Sequence, residues 1–139
     1  MITSVSAELP LARFIRERRH IRNDNTIRSE ALCPRANPET GRKETSVFRI
    51  DDLEEKEIWE LGEEHVPLHV DGQPHPGRAE FIALHVSEVG LSLDPGDIPP
   101  RHADIVGWSE EKEVVKQTAM ELAAKVSFVR NPSAGDPDS

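Results

Sequence analysis

Stretches rich in proline and glycine interrupt this chain and leave room only for short helices and strands between them. Proline lacks a backbone donor and glycine favours turns, so such stretches predict loops. Residues 34–43 and 67–77 are of this kind, and the second holds Pro67, Gly72, Pro74, Pro76 and Gly77. For a chain of 139 residues we expect one small folded domain over 11–129, a flexible lead-in over 1–10 and a disordered tail over 130–139.

The core must be built mainly from aliphatic residues, because hydrophobic residues make up 36% of the sequence and aromatic ones only 4%. Neither the first twenty residues nor any later segment contains an apolar run close to the ~20 residues of a membrane-spanning helix. Cys33 is the one cysteine, which excludes an internal disulfide and a zinc site built on cysteines. We therefore expect a cytoplasmic protein that is neither exported nor inserted into a membrane.

Local residue patterns predict most of the regular elements. β-branched and aromatic residues indicate strands over Thr45–Ile50 and Ala103–Trp108, and alternation over 91–93 indicates a third, short strand. One helix is expected after Asp51, with Glu54 completing a capping box. A second helix is expected from Ser109, and its apolar face is formed by Val115, Thr118, Ala119, Leu122 and Val126.

Two segments are ambiguous at this level. Residues 11–22 are expected to be ordered, but their apolar residues suit a helix or a strand before arginines interrupt the pattern. Residues 79–89 have apolar side chains three and four positions apart, as in a helix, while 80–86 contain enough β-forming residues for a strand. With a helix there, we predict an α+β fold, a single small domain with helices packed on a short mixed or antiparallel sheet.

Basic residues are concentrated in one segment of an acidic chain. Residues 11–43, here called the basic arm, hold nine arginines and lysines against four acidic residues, a formal charge of +5 in a chain of net charge −9. The arm either pairs with acidic surface of its own molecule or meets phosphate groups, which arginine binds through two parallel hydrogen bonds. Phe14 is its only aromatic residue, so a stacking platform for bases is missing and nucleic-acid binding is a weak hypothesis.

Histidines between residues 65 and 75 come closest to a metal-binding motif. His65 and His69 have the spacing at which two imidazoles on one helix share an ion, and His75 follows in the same loop. Pro67 lies between the first two and argues against a helix there, and the HExxH pattern is missing. We name these three histidines as candidate ligands, but we expect solvated loop side chains and no cofactor.

His102 is the strongest candidate for chemistry. Asp104 lies two positions further along a strand and therefore on the same face, and an imidazole can act as general acid or base near neutral pH. The structural alternative is that His102 caps a strand end while Arg101 pairs with a surface acid. No phosphate-binding loop or serine nucleophile elbow occurs, so an enzyme is not the first expectation. The candidates for holding an anion such as phosphate are Arg49, Arg101, Arg13 and His20.

Three parts of the chain resemble a group of small bacterial proteins of about this length. They are Arg-Phe-Ile at 13–15, Thr-Ser-Val-Phe-Arg-Ile at 45–50 with Glu-Ile-Trp at 57–59, and Pro-Arg-His-Ala-Asp-Ile-Val-Gly-Trp at 100–108. The resemblance covers most of the chain and implies a free-standing bacterial domain. It implies no activity, ligand or catalytic residue.

The segregated charge and the missing catalytic motifs predict a cytoplasmic, non-enzymatic protein-interaction or accessory module that docks on a protein partner. A bacterial toxin–antitoxin or defence assembly is the hypothesis for that partner. The alternative is a small enzyme or binding domain for a phosphorylated or nucleotide-like ligand, using Arg49, Arg101 and His102. Nucleic-acid binding through the basic arm is the third and weakest hypothesis, and no membrane partner is expected.

Overall fold

The computed structural model describes residues 6–96 and 99–134, which form one sheet and three α-helices. The strands are β1 (Pro10–Ile15), β2 (Arg35–Ala36), β3 (Lys43–Arg49), β4 (Gly77–Ile82), β5 (Ser92–Pro95), β6 (His102–Val106) and β7 (Ser127–Arg130). The helices are α1 (Glu55–His65), α2 (Ala83–Glu88) and α3 (Lys112–Ala123), with 3₁₀ turns at Arg18–His20, Ser29–Ala31 and Pro132–Ala134.

The seven strands form one antiparallel sheet in the order β5-β6-β3-β1-β4-β7, and the short β2 pairs with the beginning of β3. The sheet dominates the described part of the chain, and its helices are few and short. The predicted α+β arrangement of helices packed on a short mixed or antiparallel sheet is therefore wrong. The reason is that the first half of each ambiguous segment, and the residues after α3, all join the sheet.

β1 and β4 lie in the interior of the sheet and pair with each other over six residues. Leu11 and Ile15 project from one face of β1 and Ala12 and Phe14 from the other, and each is 4% exposed or less. A strand that is apolar on both faces lacks the two-residue alternation that identifies a strand in sequence. The second ambiguous segment, residues 79–89, contains both a strand and a helix, because β4 ends at Ile82 and α2 follows it directly.

The sheet separates two apolar cores. On one face, Leu11, Val47 and Ile105 pack with Leu32 and with side chains of α2 and α3. On the opposite face, Ala12, Phe14 and Phe48 pack with Ile58 and Trp59 of α1. β3 supplies residues to both cores because neighbouring side chains of a strand point to opposite faces.

The two longer helices begin later than predicted. α1 begins after Glu54, whose backbone N–H donates to the Glu57 carboxylate at 3.0 Å, so the capping box lies three residues beyond the predicted one. α3 begins after Glu111, and the Ser109 hydroxyl accepts a hydrogen bond from the backbone N–H of that residue at 3.0 Å. Ala119 and Leu122 lie on the buried side of α3, as its spacing predicts.

Both ends of the described chain contact the domain. Within the predicted lead-in, the Leu9 carbonyl accepts a hydrogen bond from the Ala83 N–H at 3.0 Å, and Pro10 opens β1. Within the predicted disordered tail, Arg130 ends β7, and Asn131 is 3% exposed with its Nδ2 donating to the His75 carbonyl at 2.9 Å. Residues 1–5 and 135–139 of these two predictions lie outside the described residues.

The basic arm is folded into the domain as β1, two 3₁₀ turns, β2 and the first residue of β3. Within the described chain, five of its basic side chains donate hydrogen bonds to backbone carbonyl groups and two donate to carboxylates. The side chains of Arg28 and Arg35 form no hydrogen bond or ion pair with any described residue. Most of the arm's positive charge therefore points toward its own molecule.

Candidate anion-binding site

A cavity of about 450 Å³ opens on the α1 side of the sheet. Its lining comes from one face of β3 and β6, the end of β1, the C-terminal end of α1 and the loop that follows β2. This volume lies within the range of small-molecule binding sites. The titratable and hydroxyl side chains that line it are Arg13, Arg16, Arg35, Glu44, Ser46, His65, His102 and Asp104.

Arg13 lies where β1 and β3 separate. The two strands pair only at Leu11 and Ala12 of β1. At the next position, Arg13 Nη1 donates to the Ser46 carbonyl at 2.8 Å and Nε donates to the Ala31 carbonyl at 2.9 Å. The guanidinium therefore joins β3 to the 3₁₀ turn at Ser29–Ala31, at the place where the backbone of β1 no longer pairs with β3.

The three arginines of the cavity have no carboxylate partner in the described chain. Arg16 donates through Nε to the Pro67 carbonyl at 2.7 Å, Arg13 donates to the carbonyls given above, and the Arg35 side chain donates to no described residue. Burial, followed by repulsion from Arg35 and Arg16, lowers the pKa of Arg13 to about 10. Arg13 is thus still charged at neutral pH, and the like charges are held close together.

The acidic groups of the cavity are engaged by other residues. Glu44 accepts a hydrogen bond from Asn37 Nδ2 at 3.0 Å and pairs with Arg42. Burial raises the pKa of the Glu44 carboxyl, but the hydrogen bonds from Asn37 and Arg42 lower it by more and hold that pKa below its usual value. Since Asp104 faces His102, neither carboxylate neutralises the cavity's arginines, and positive charge is in excess there.

Pairing of β3 with β6 brings a hydroxyl, an imidazole and a carboxylate together. Ser46 is opposite Asp104 and Phe48 is opposite His102, so alternation puts all four side chains on the cavity face. Ser46 Oγ lies 2.7 Å from His102 Nε2, and Asp104 Oδ1 lies 3.3 Å from the same nitrogen. Burial raises the pKa of Asp104, against the opposite effect of His102.

The other nitrogen of His102 faces away from these groups. Nδ1 is buried and has no hydrogen-bond partner among the described residues. The ring packs edge-on against Phe48, with 5.7 Å between the ring centres. Nε2 is therefore the nitrogen of this imidazole that contacts the other polar groups of the cavity.

The four residues predicted to hold an anion do not converge. Arg13 lines the cavity, and Arg49, Arg101 and His20 do not. Arg101 Nη1 donates to the Asp51 carbonyl at 2.8 Å and to the Arg49 carbonyl at 3.2 Å. His20 Nε2 lies 3.5 Å from a carboxylate oxygen of Glu17.

The three histidines named as metal ligands have separate environments. His65 stacks on Phe48 with 6.0 Å between the ring centres, and His69 Nε2 lies 3.6 Å from the Glu17 carboxylate. His75 is buried, and its Nε2 lies 3.4 Å from the Pro67 carbonyl. Among residues 6–96 and 99–134, no three histidine, cysteine or acidic side chains are placed to hold a metal ion.

Acidification should destabilise the fold through His75. Its side chain is 2% exposed, and burial lowers its pKa below the ordinary value of 6.5. The unfolded chain therefore takes up a proton at a higher pH than the folded one, so this stability is present above pH 6.5 and lost as the pH falls through the lower folded pKa. Urea unfolding followed from about pH 7.5 to about pH 5 measures the loss.

The variant His75→Gln should have a flatter dependence of the unfolding free energy on pH than the native protein. His20, whose pKa burial also lowers, keeps part of the slope in both proteins. His69, whose side chain is 53% exposed, provides the matched control, and His69→Gln should keep the native slope. Equal slopes for His75→Gln and the native protein would contradict the assignment.

Arg16, Arg35 and Ser46 are cavity residues that sequence reasoning missed. The two arginines belong to the basic arm, where nothing local distinguishes them from their neighbours. Ser46 belongs to no motif and lies 56 positions from His102 in the chain. Alternation along the predicted strand 45–50 would have shown that Ser46 and Phe48 share a face, but not that β6 lies beside them.

Comparisons with known proteins add no relative. No protein-family model matches the chain, no curated protein matches it, and no solved structure matches it. Within residues 6–96 and 99–134, no helix combines the length and the apolar composition needed to cross a bilayer.

Proposed function

We propose that the protein binds a small phosphorylated ligand, such as a nucleotide or a sugar phosphate, in this cavity. The observation that carries the proposal is that Arg13, Arg16 and Arg35 line one cavity with no carboxylate partner among the described residues. Neighbouring like charges repel, and the repulsion is relieved when a counter-charge joins them. A phosphate group supplies that charge and accepts several N–H groups at once.

The remaining lining suits the organic part of such a ligand. Phe14, Phe48, Val66 and Pro67 contribute apolar surface to the same cavity. A volume of about 450 Å³ exceeds what a bare phosphate needs, and small-molecule sites combine such apolar walls with a few polar groups. The phosphorylated ligand is the one of the sequence-based alternative, but the three cavity arginines replace Arg49 and Arg101 as the residues that hold it.

A thermal-shift screen with nucleoside phosphates, sugar phosphates and inorganic phosphate tests the proposal. A ligand present at about 100 times its dissociation constant should stabilise the folded protein by about 2.7 kcal/mol. This amounts to a clear rise of the melting temperature for a domain of this size. Calorimetric titration of the strongest hit then gives its affinity.

Arg35→Ala should weaken that affinity at least tenfold. A hydrogen bond to a charged group contributes about 1.5–3 kcal/mol, and about 1.4 kcal/mol corresponds to a factor of ten. The Arg35 side chain is exposed and donates to no described residue, so its loss leaves the fold intact.

Arg28→Ala is the matched control for this measurement. Arg28 belongs to the same basic arm, is also exposed and donates from its side chain to no described residue, but it does not line the cavity. Equal weakening by both substitutions would mean diffuse charge attraction instead of a site. The absence of any stabilising phosphate compound would refute the proposal.

Docking of a protein partner on the basic arm stays a prediction and has less support than the cavity. Such docking requires guanidinium groups that face outward. Most guanidinium groups of the basic arm instead donate hydrogen bonds within the described chain. Nucleic-acid binding has the same weakness, and a gel shift that disappears with added salt is the observation that would favour it.

A further inference from the structure

Ser46, His102 and Asp104 form a contact group that phosphate binding does not require. The 2.7 Å between Ser46 Oγ and His102 Nε2 is a hydrogen-bond distance, at which a hydroxyl can hand its proton to an imidazole. Asp104 Oδ1, at 3.3 Å from the same nitrogen, is placed to stabilise the imidazolium that forms. All three side chains line the cavity.

We propose that Ser46 is a nucleophile that takes a phosphoryl group from a bound phosphoanhydride, with His102 as its general base. The inference rests on the proposed function, because the cavity arginines must hold the phosphoryl group beside the hydroxyl. Arg13 links the two parts, since its Nη1 donates to the carbonyl of Ser46 itself at 2.8 Å. The guanidinium and the nucleophile thus belong to neighbouring strands of one sheet, β1 and β3, and a hydrogen bond joins them.

The step conserves atoms and charge. Ser46 Oγ forms a bond to phosphorus, the bond from phosphorus to the bridging oxygen breaks, and its electron pair leaves with that oxygen. The hydroxyl proton moves to His102 Nε2. The leaving group is a phosphate that departs as an anion, so it needs no proton from the protein.

The surroundings of His102 favour this direction of proton transfer. In the tautomer that carries its proton on Nδ1, the Nε2 lone pair accepts the hydrogen bond of the Ser46 hydroxyl across the 2.7 Å between them. After it, the new Nε2–H is near the Asp104 carboxylate, which stabilises the positive ring. Nδ1 carries the other ring proton in this tautomer and has no hydrogen-bond partner among the described residues, so the incoming proton goes to Nε2.

An alkyl fluorophosphonate tests the nucleophile without knowledge of the substrate. It reacts with an activated serine by the same displacement at phosphorus, with fluoride as the leaving group. Peptide mass spectrometry should find one adduct, on Ser46. The exposed serines Ser87 and Ser92 lack a histidine contact and should stay unmodified, which makes them internal controls.

Variants of the base separate activation from simple accessibility. His102→Gln should slow modification of Ser46 at least about 100-fold, because general-base catalysis contributes about 10²–10⁴-fold. Asp104→Asn keeps nearly the same side-chain shape and should slow the modification of Ser46 by a smaller factor. This variant tests the role of the charged partner even if His102→Gln does not fold. Ser92→Ala should react like the native protein, and thermal melts confirm that each variant is folded.

Inorganic phosphate distinguishes failure of this inference from failure of the phosphate site. It should slow modification of Ser46 in the native protein and much less in Arg35→Ala. Binding of phosphate compounds without any Ser46 adduct, or an adduct formed equally fast in His102→Gln, would overturn the nucleophile and leave the binding site standing. Rapid modification that phosphate does not slow would instead refute the phosphate site and, with it, the phosphoryl substrate.

Discussion

Replacing Arg78 with methionine should lower the free energy of unfolding by about 2–4 kcal/mol. Arg78 projects from β4, is 2% exposed and donates two hydrogen bonds to the Glu55 carboxylate, at 2.9 and 2.6 Å. Its Nε donates to Glu80 at 2.6 Å, and its guanidinium lies 4.5 Å from the centre of the Trp59 ring. One side chain thus joins the central sheet to α1.

The expected loss is moderated by the exposure of the two acids. Removing one partner of a fully buried ion pair costs about 3–5 kcal/mol, because the other charge is left without solvent or counter-charge. The side chains of Glu55 and Glu80 are 59% and 32% exposed, so water replaces part of what Arg78 supplied. The contact with the Trp59 ring adds about 0.5–2 kcal/mol that water does not replace.

Urea unfolding measures this prediction through the transition midpoint at an unchanged slope. Arg78→Lys keeps the charge but not the paired hydrogen bonds, so its loss should be intermediate. Arg19→Ala is the control on the surface, because the Arg19 side chain is 75% exposed in its pair with Glu17 and should contribute little. A native midpoint for Arg78→Met would mean that the pairs and the ring contact add nothing to stability.

Gly77→Ala should destabilise the protein by about 3 kcal/mol, at the upper end of what overpacking usually costs. A methyl group on Gly77 would meet the Phe128 ring of β7, and it would lie 2.7 Å from the carbonyl oxygen of Val129. The ring can turn, but the carbonyl belongs to the strand that pairs with β4, so the sheet itself must shift.

Gly62→Ala should cost less, although its methyl group would lie 2.5 Å from the Phe14 ring. Alanine is about 0.8–1 kcal/mol better than glycine inside a helix, which offsets part of the clash in α1. The exposed residue Glu63 follows it, and Glu63→Ala controls for helix preference alone.

Thermal and urea unfolding of these variants should place Gly77→Ala lowest, Gly62→Ala above it and Glu63→Ala close to the native protein. In a Phe128→Ala background, Gly77→Ala should cost less than in the native protein but should still be destabilising, since the contact with the Val129 carbonyl remains. A Gly77→Ala substitution without cost in that background would assign the whole effect to the ring and contradict the backbone argument.

Local pattern predicted four of the elements, β3, β5, β6 and α3. β3 and β6 cover most of 45–50 and 103–108, β5 covers the alternating stretch near 91–93, and α3 carries its apolar face as expected. β-forming residues identify β3 and β6, alternation identifies β5, and the helical repeat of α3 reflects its one buried face. β1 was not assigned from pattern because apolar residues occupy both of its faces, and β4 was not because its apolar residues continue into α2 at helical spacing.

What the sequence by itself determined about this protein is the position of these elements, the concentration of basic residues in 11–43 and the spacing that puts His102 and Asp104 on one face. Only the tertiary structure decided which arginines share a cavity and that Ser46 contacts His102. The physical reason is that an apolar repeat reports burial along one segment only. The site, in contrast, forms where β3 pairs with β6, which is far away in the chain, and where β1 and β3 separate and Arg13 lies between them.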